Sequence, residues 1–515
     1  MKKLSLLIIL ALFAQSTVIA QPCLPDGIVF SSQAEIDNFQ TNHPDCTEIE
    51  GDVEINGDNI TNLTGLSMVT SIGGDLRIND NDALTNLTGL DNLTSIGGEL
   101  KIQANDTLTS LTGLDNLTSI GGVLAILWND TLTTLTALEN LTSIGGLAIW
   151  NSNALTSLAG LEGLTSIGGR FYFVGNDAIT NLVGLDNVTS IGGELFIHSN
   201  DTLTNLTGLD NLSFINGNLE LGVYNASAGG IFGNPSLTSL AALSNLDSIA
   251  GGLAIYADTS LLDLTGLDGL TSLVFLTVHG NNALTSLTGL EGLTSIGGRL
   301  SFDNNDALTN LTGLDNLTSI GGGLIIGSTF HSYVGNPALT SLTGLDNVSS
   351  IGGSLFIYGN NALTSLTGLN SIAANSITDL TIINNDSLST CEVQSICDYL
   401  ESPSGDIEIH DNATGCNDQQ EVEAACETVS VEEVRNSDKF LIYPNPSTTQ
   451  ITIELPSTPQ KNAILTIYNT NSQQLLSQRI TDQTTVVDVS GLLSGFYYVK
   501  VFDNRTMMVG KMIKN

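Results

Sequence analysis

Basic side chains are scarce in this sequence. Its 515 residues include 14 Lys and Arg against 53 Asp and Glu, which gives a formal net charge of −39. Residues 21–434 hold 48 of the acidic residues and only four basic ones, Arg77, Lys101, Arg170 and Arg299. A surface this acidic repels the phosphates of nucleic acids and anionic membranes. We therefore expect no nucleic-acid partner.

Long apolar runs are missing after the N-terminus. Residues 4–14 are nearly all apolar, follow Lys2 and Lys3, and precede Val18-Ile19-Ala20, which fits a signal-peptide cleavage pattern. This run is shorter than the about 20 residues of a membrane span. We predict a signal peptide over 1–20, a mature chain that starts at Gln21 and no transmembrane span within it.

Catalytic signatures are also lacking. The five histidines, His43, His198, His279, His331 and His410, are scattered. No Gly-x-Ser-x-Gly, His-Glu-x-x-His or phosphate-binding loop is present. With so many acidic residues, a carboxylate pair alone does not indicate a glycosidase. We predict no catalytic residue, no resident metal and no enzyme activity.

Cysteine is confined to two short segments. Cys23 and Cys46 lie near the start, and Cys391, Cys397, Cys416 and Cys426 lie between residues 391 and 426. An even number in an exported chain indicates disulfides. We expect Cys23–Cys46 and, of the three pairings open to the other four, Cys391–Cys416 with Cys397–Cys426. Zinc binding is the alternative, although the spacings do not suit it.

What fills the sequence is a unit of 23 or 24 residues. Ile recurs directly before a Gly-Gly pair at positions 72, 96, 120, 144, 167, 191, 296, 320 and 351, and at position 249 with one alanine between. A fixed period of this length predicts a solenoid, because one unit cannot bury its apolar side alone. A solenoid offers a long repetitive surface, which favours binding over catalysis.

Each unit begins with an alternating Leu-x-Ile, as at Leu100 and Ile102, which predicts a short strand with both residues inward. We count fifteen such strands, from Val53 to Ile409. An Asn five positions after the first inward residue, such as Asn105, is expected to form a buried column that satisfies turn backbone groups. Gly121-Gly122 is expected to form a tight corner with positive φ.

The pattern Leu-x-Ile-x-x-Asn-x-x-Leu-x-x-Leu-x-Gly-Leu-x-x-Leu-x-x-Ile-Gly-Gly resembles leucine-rich repeats, and more closely their receptor L-domain variant, over residues 49–412. The resemblance implies a mainly β, right-handed solenoid of about 15 turns with cystine-rich ends. We divide it into an N-terminal cap at 21–50, repeats at 51–390 and a C-terminal cystine cap at 391–427.

The periodicity stops after Cys426, and residues 428–439 read as a polar linker. Alternating runs within 440–515 predict a small antiparallel β-sandwich. This segment resembles the type A sorting domain of the Bacteroidetes type IX secretion system through Tyr443-Pro444-Asn445-Pro446, Gly495 and the basic end at Lys511 and Lys514. The resemblance implies a partnership with that machinery and display on, or release from, the bacterial cell surface.

Aromatic residues make up 5% of the chain, yet several fall at outward positions of successive strands. Two insertions, at 224–233 and 328–335, leave the turn at the same point four strands apart and carry further rings. The predicted ligand-binding residues are Trp128, Trp150, Tyr172, Phe196, His198, Tyr224, Phe232, Tyr256, Phe330 and Tyr333. The open alternative is that these rings pack on one another to stabilise the sheet.

These observations predict an exported cell-surface repeat protein for non-catalytic recognition or adhesion, with a protein or glycan ligand. One alternative is a structural surface protein stabilised by Ca²⁺, bound by oxygens of Asn79-Asp80-Asn81-Asp82 and Asn304-Asn305-Asp306. A remote alternative is ice binding by stacked threonines such as Thr85, Thr109 and Thr133.

Overall fold

The computed structural model describes residues 22–225, 230–328, 335–429, 440–456, 463–469, 473–502 and 507–515. The predicted signal peptide and most of the predicted linker lie outside these ranges. The chain falls into two compact units, Met1–Cys426 and Glu427–Asn515.

The first unit is a solenoid of parallel strands. Strands of three or four residues, which we call front strands, stack one per turn in register. They are Ile28–Phe30, Val53–Ile55, Leu76–Asn79, Leu100–Gln103, Phe171–Val174, Leu195–His198, Leu219–Leu221, Leu253–Tyr256, Leu276–His279, Leu300–Asp303, Leu324–Ile326, Leu355–Tyr358, Leu380–Ile383 and Ile407–His410, with the later parts of Ser119–Leu127 and Ser143–Trp150. The solenoid has about 16 turns, because Ile28–Phe30 in the predicted cap adds one front strand to the fifteen expected.

A second row of two-residue strands lies near the end of the repeat units, in most of them at the Ser-Ile pair that precedes the glycine corner. These corner strands are Pro22–Cys23, Glu48–Ile49, Ser71–Ile72, Ser95–Ile96, Ser166–Ile167, Ser190–Ile191, Phe214–Ile215, Ser248–Ile249, Ser272–Leu273, Ser295–Ile296, Ser319–Ile320 and Ser350–Ile351, with the beginnings of Ser119–Leu127 and Ser143–Trp150. Three-residue 3₁₀ helices occur at Thr64–Leu66, Thr136–Leu138, Ala241–Leu243, Thr367–Leu369 and Ala374–Ser376.

One continuous apolar core runs through the stack. In a typical turn the inward residues are Leu100, Ile102, Leu108, Leu111, Leu114, Leu117 and Ile120, and none of them is more than 1% exposed. The predicted alternation of inward and outward residues along the front strands is confirmed. Each turn is stable because the turns on either side cover its apolar residues.

A column of buried asparagines, the asparagine ladder, connects the turns. It comprises Asn81, Asn105, Asn129, Asn176, Asn200, Asn234, Asn281, Asn305, Asn336, Asn360, Asn385 and the half-buried Asn412. At a typical position the Nδ2 of Asn105 donates to the carbonyls of Ile78 at 2.9 Å and Gln103 at 3.0 Å. Its Oδ1 accepts from the backbone and side-chain nitrogens of Asn81 at 3.1 and 3.0 Å. The ladder therefore satisfies turn backbone groups and fixes the register of one turn on the next.

The expected positive φ at the Gly-Gly corner is wrong. The left-handed conformation occurs earlier in many of the units, as at Gly113 with φ of 111°. Gly121 is required for a different reason, since a Cβ there would lie 2.2 Å from the Gly97 carbonyl oxygen of the preceding turn. The corner is glycine because the turns approach closely, and the backbone there does not need left-handed freedom.

Helices and disulfides close both ends of the solenoid. Gln33–Asp37 and Phe39–Asn42 cover the first turn, and Gln394–Glu401 and Gln419–Val429 cover the last. The predicted disulfides Cys23–Cys46, Cys391–Cys416 and Cys397–Cys426 are all confirmed. These covers are needed because an open end would expose the apolar core of its last turn.

The second unit is an antiparallel sandwich around its own core. One sheet has strands Leu441–Tyr443, Gln450–Glu454 and Thr484–Asp488, and the other has Gln474–Ile480, Ala463–Asn469, Gly495–Phe502 and Met507–Lys514. The predicted small β-sandwich is confirmed. The basic end that contains Lys511 and Lys514 is its last strand.

Asp258 takes an asparagine position in the ladder and generates a testable pH dependence. Its Oδ1 accepts from the backbone and side chain of Asn234 at 2.6 and 3.1 Å, whereas its buried Oδ2 has no partner within the described ranges. Burial raises the pKa of Asp258 from 3.8 to about 7, and the Asn234 hydrogen bonds oppose this only partly. A protonated Oδ2 is uncharged and carries one O–H donor, where an asparagine amide carries two N–H donors.

We expect Asp258→Asn to stabilise the solenoid at pH 8 and to lose this advantage on acidification. A pKa raised on folding contributes stability below the unfolded value of about 4, and this is lost as the pH rises through about 7. The full difference is at most about 4 kcal/mol. Denaturant unfolding at pH 4.5 and pH 8 measures it. The exposed Asp106→Asn serves as control, and an advantage independent of pH would contradict the assignment.

Reduction of the disulfides should loosen the ends of the solenoid before its middle. A disulfide closing a loop of this size contributes about 3 kcal/mol, and in a repeat array this loss stays local. With reductant, amide hydrogen exchange should rise first near Cys23–Cys46 and after Cys391, while Leu219–Leu221 keeps its protection. Exchange that rises equally in all turns would show that the caps are not the weak points.

Candidate functional site

Each front strand presents two outward positions, which form two rows along the solenoid. The first outward row holds the residue between the two inward ones, and the second holds the residue after them. Register pairing aligns Tyr172 with Phe196 in the first row and Val174 with His198 in the second. Strands in a sheet lie about 4.8 Å apart, so outward residues of successive turns are in contact range.

Five side chains form a continuous series of edge-to-face contacts, which we call the aromatic ladder. The ring centroids are 6.4 Å apart for Trp128 and Trp150, 6.2 Å for Trp150 and Tyr172, and 5.6 Å for Tyr172 and Phe196. Phe196 and His198 follow at 4.8 Å. The sequence left open whether these rings pack on one another or are exposed to a ligand. In the structure they contact one another and still reach solvent.

Exposure along the aromatic ladder is partial. Trp128 is 44% exposed, and the other four side chains are half-buried. A cleft of about 520 Å³ lies against Trp150, Phe196 and His198, with Glu194 and Glu220 at its side. The Nε1 of Trp150 is buried without an acceptor in the part of the chain described. This donor lacks the acceptor that a buried N–H group usually has.

Two titratable groups of this cleft have pKa values shifted by burial. The pKa of His198 falls to about 4, so its imidazole is neutral at pH 7. The pKa of Glu220 is raised by burial, while a hydrogen bond from Asn218 at 3.0 Å opposes the shift. The cleft thus combines aromatic rings with a neutral imidazole and partly shielded carboxylates.

The first insertion is a β-hairpin of Val223–Asn225 paired with Gly230–Phe232. Its two predicted rings lie in different clefts. Tyr224 lines the same cleft as Tyr256, whereas Phe232 lines another with Asp177 and Asp201. The predicted binding residues therefore divide into three groups. Phe330 and Tyr333, in the second insertion, lie outside the described residues.

The cleft of Tyr224 and Tyr256 is lined by residues that the sequence did not single out for binding. Thr277, Arg299, Ser301 and Asp303 contribute to it. The signal available in the sequence was a change along the first outward row, where bulky residues give way to Ala254, Thr277 and Ser301. Small side chains at consecutive turns create a depression.

Residues considered for calcium and for ice binding also have definite partners. Asn81 and Asn305 are fully buried in the asparagine ladder, where their oxygens accept hydrogen bonds. The hydroxyl of Thr109 donates to the carbonyl of Thr85 at 3.3 Å, and that of Thr133 to Thr109 at 3.3 Å. These polar groups thus serve the stacking of the turns.

In the second unit the Tyr443–Pro446 motif is tied to the last strand. The Nδ2 of Asn445 donates to the Lys511 carbonyl at 2.7 Å, and the backbone nitrogen of Ile513 donates to the Asn445 Oδ1 at 2.7 Å. The hydroxyl of Tyr443 donates to Glu454 at 3.0 Å. The motif and the basic end therefore form one structural element.

Comparison with protein families agrees with this geometry. Residues 45–111 match the receptor L domain, residues 101–219 match six copies of the BspA type leucine rich repeat region, and residues 441–515 match the secretion system C-terminal sorting domain. The first unit is thus a solenoid with segments similar to the receptor L domain and to leucine-rich repeats. The chain ends in a type IX sorting domain, which directs export to the cell surface or the medium.

A search among curated proteins gives no match. Within the described ranges, no helix is long and apolar enough to cross a bilayer.

Deletion of residues 440–515 should trap the protein in the periplasm, because this segment carries the sorting domain. Asn445→Ala should lower surface export in the same direction, since it removes the side chain that joins the motif to Lys511 and Ile513. Asn469→Ala, in the same module but outside the motif, is the matched control. Fractionation and surface labelling measure the result, and normal display of the deletion variant would refute the sorting role.

Proposed function

We propose that this exported protein recognises a protein or glycan ligand at a surface, without catalysis, through the outward rows of its front strands. The aromatic ladder carries the proposal. Aromatic residues are rare in this chain, yet five rings in this region belong to four successive turns and retain solvent contact. Partly exposed aromatic residues are the usual anchors of recognition surfaces.

Packing within the aromatic ladder strengthens the proposal. An edge-to-face pair contributes about 0.5–1.5 kcal/mol, so neighbouring rings hold each other in place before a ligand arrives. A rigid surface loses little conformational entropy on binding, which raises affinity for a given contact area.

The matched families support recognition over catalysis, because leucine-rich-repeat and L-domain proteins are generally non-catalytic. Export by the type IX system brings the outward rows into contact with extracellular molecules. Adhesion is the form of recognition we favour, since a long repeat array offers contact over many turns.

An array of proteins and glycans probed with the purified protein should identify the ligand, and Trp150→Ala with Phe196→Ala should then weaken its binding. We expect a loss of about 2 kcal/mol or more, which is about 30-fold in Kd, because both rings are central in the series. Glu408→Ala, outward and eight strand steps from Phe196, is the control.

Thermal unfolding of the same variants separates binding from packing. A melting temperature near that of the unmodified protein, together with weakened binding, supports the proposal. If the double variant unfolds and its binding only follows the folded fraction, the rings serve packing and the proposed surface is wrong.

A further inference from the structure

A second cleft, of about 470 Å³, lies on the outward rows between the two insertions. Its size falls within the about 300–1,000 Å³ of small-ligand sites. Thr277 and Ser301 form its floor, Tyr224 stands at one side, and Phe356 and Tyr358 stand at the other. Phe356 occupies the same outward row as Thr277 and Ser301, so the depression results from small side chains next to a large one.

The two insertions leave the solenoid in equivalent ways. Gly222 has φ of 83° and Gly327 has φ of 104°. A Cβ at either glycine would lie 2.0 Å from the carbonyl oxygen of a tyrosine in the next front strand, Tyr256 or Tyr358. Four strand steps, about 19 Å, separate the two exits. A glycine with positive φ that closely approaches the next front strand therefore lies at both ends of the cleft.

A buried pair contributes polar groups to the cleft. The Nδ1 of His279 lies 2.5 Å from the Oδ2 of Asp303, whose side chain is 8% exposed. With Nδ1–H donated to this carboxylate, Nε2 is an acceptor. That Nε2 is buried and has no partner within the part of the chain described. A buried acceptor without a partner is costly unless a ligand supplies a donor.

Arg299 supplies donors at the rim. Arg77 pairs with Asp52 and Asp75, and Arg170 pairs with Glu194 at 3.4 Å. Arg299 is exposed and forms no ion pair among the residues described, although the solenoid is rich in carboxylates. Its guanidinium thus remains available, with five N–H donors, to oxygens of a bound molecule.

We propose that this cleft binds a sugar ring of an uncharged polysaccharide, an inference that rests on the proposed recognition function. Apolar C–H faces of a pyranose can pack on Tyr256 and Phe356, while its hydroxyls donate to His279 Nε2 and accept from Arg299. Ser301 can both donate and accept. A polyol satisfies such a mixed set of groups, and a hydrophobic peptide side chain does not.

The charge of the solenoid favours an uncharged sugar over an acidic one. Residues 21–434 hold 48 acidic residues and four basic ones, so a polyanionic chain is repelled along its length. A neutral chain meets no such repulsion, and Arg299 then serves as a hydrogen-bond donor to hydroxyls.

The test uses the full protein and trisaccharides of glucose, mannose, xylose and galactose, with trigalacturonate as the charged comparison. Calorimetric titration is repeated with Ser301→Phe and Arg299→Ala. Phenylalanine already occupies the first outward row at Phe196 and Phe356, so it should fill the cleft without disturbing the strand. Lys101→Ala is the control, since Lys101 is also a basic outward residue but lies seven strand steps from His279, about 34 Å away. Trp150→Ala is titrated as well and reports on the aromatic ladder alone.

We expect at least one neutral trisaccharide to bind, with a loss of tenfold or more in both cleft variants and less than threefold in Lys101→Ala. Both cleft variants should keep the melting temperature of the unmodified protein. Binding lost in Trp150→Ala but kept in Ser301→Phe would overturn the cleft and leave recognition by the aromatic ladder in place. Binding of trigalacturonate alone, or of no trisaccharide, would overturn the sugar site, and a protein ligand found on the array would still support recognition.

Discussion

Stacking of one turn on the next is the interaction on which the whole solenoid depends. No single turn has a second layer of its own, so each inward leucine is covered by neighbouring turns. The asparagine ladder adds directional hydrogen bonds to this apolar contact. Each amide donates to a carbonyl of its own turn, to a carbonyl of the preceding turn and to the next asparagine. Displacement of one turn along the strand direction would break these bonds. Apolar burial holds the turns together, and the ladder sets their register.

Because the inward residues and the asparagine ladder together stabilise the stack, the outward positions are free to vary. Inward leucines, ladder asparagines and close-approach glycines are required in nearly every turn, whereas the first outward row runs from Lys101 through Phe196 to Ser301. Rigid register brings side chains at these positions into contact whatever their chemistry. A series of rings in one region and a depression in another are therefore built on the same backbone.

The acidic character of the repeats also has a structural origin. In many turns a carboxylate accepts a hydrogen bond from the nitrogen of a glycine with positive φ, as Asp91 does from Gly89 at 2.7 Å and Asp115 from Gly113 at 2.9 Å. Repetition of this contact accumulates negative charge along the solenoid. The resulting field excludes polyanions and makes each basic residue that is not paired, such as Arg299, a distinctive feature of the surface.

The repeat period, strand positions, inward residues, cystine caps and sorting domain were all predictable from the sequence, because each rests on spacing along the chain. Asn234 and Asn336 were missed since the insertions displace them from the regular interval, yet both rejoin the ladder. The corner glycines were identified but explained wrongly, because closeness between turns is not visible in one unit. Only the tertiary structure separated Tyr224 from Phe232 and joined His279 to Asp303, since both results depend on the direction of side chains from residues far apart in sequence.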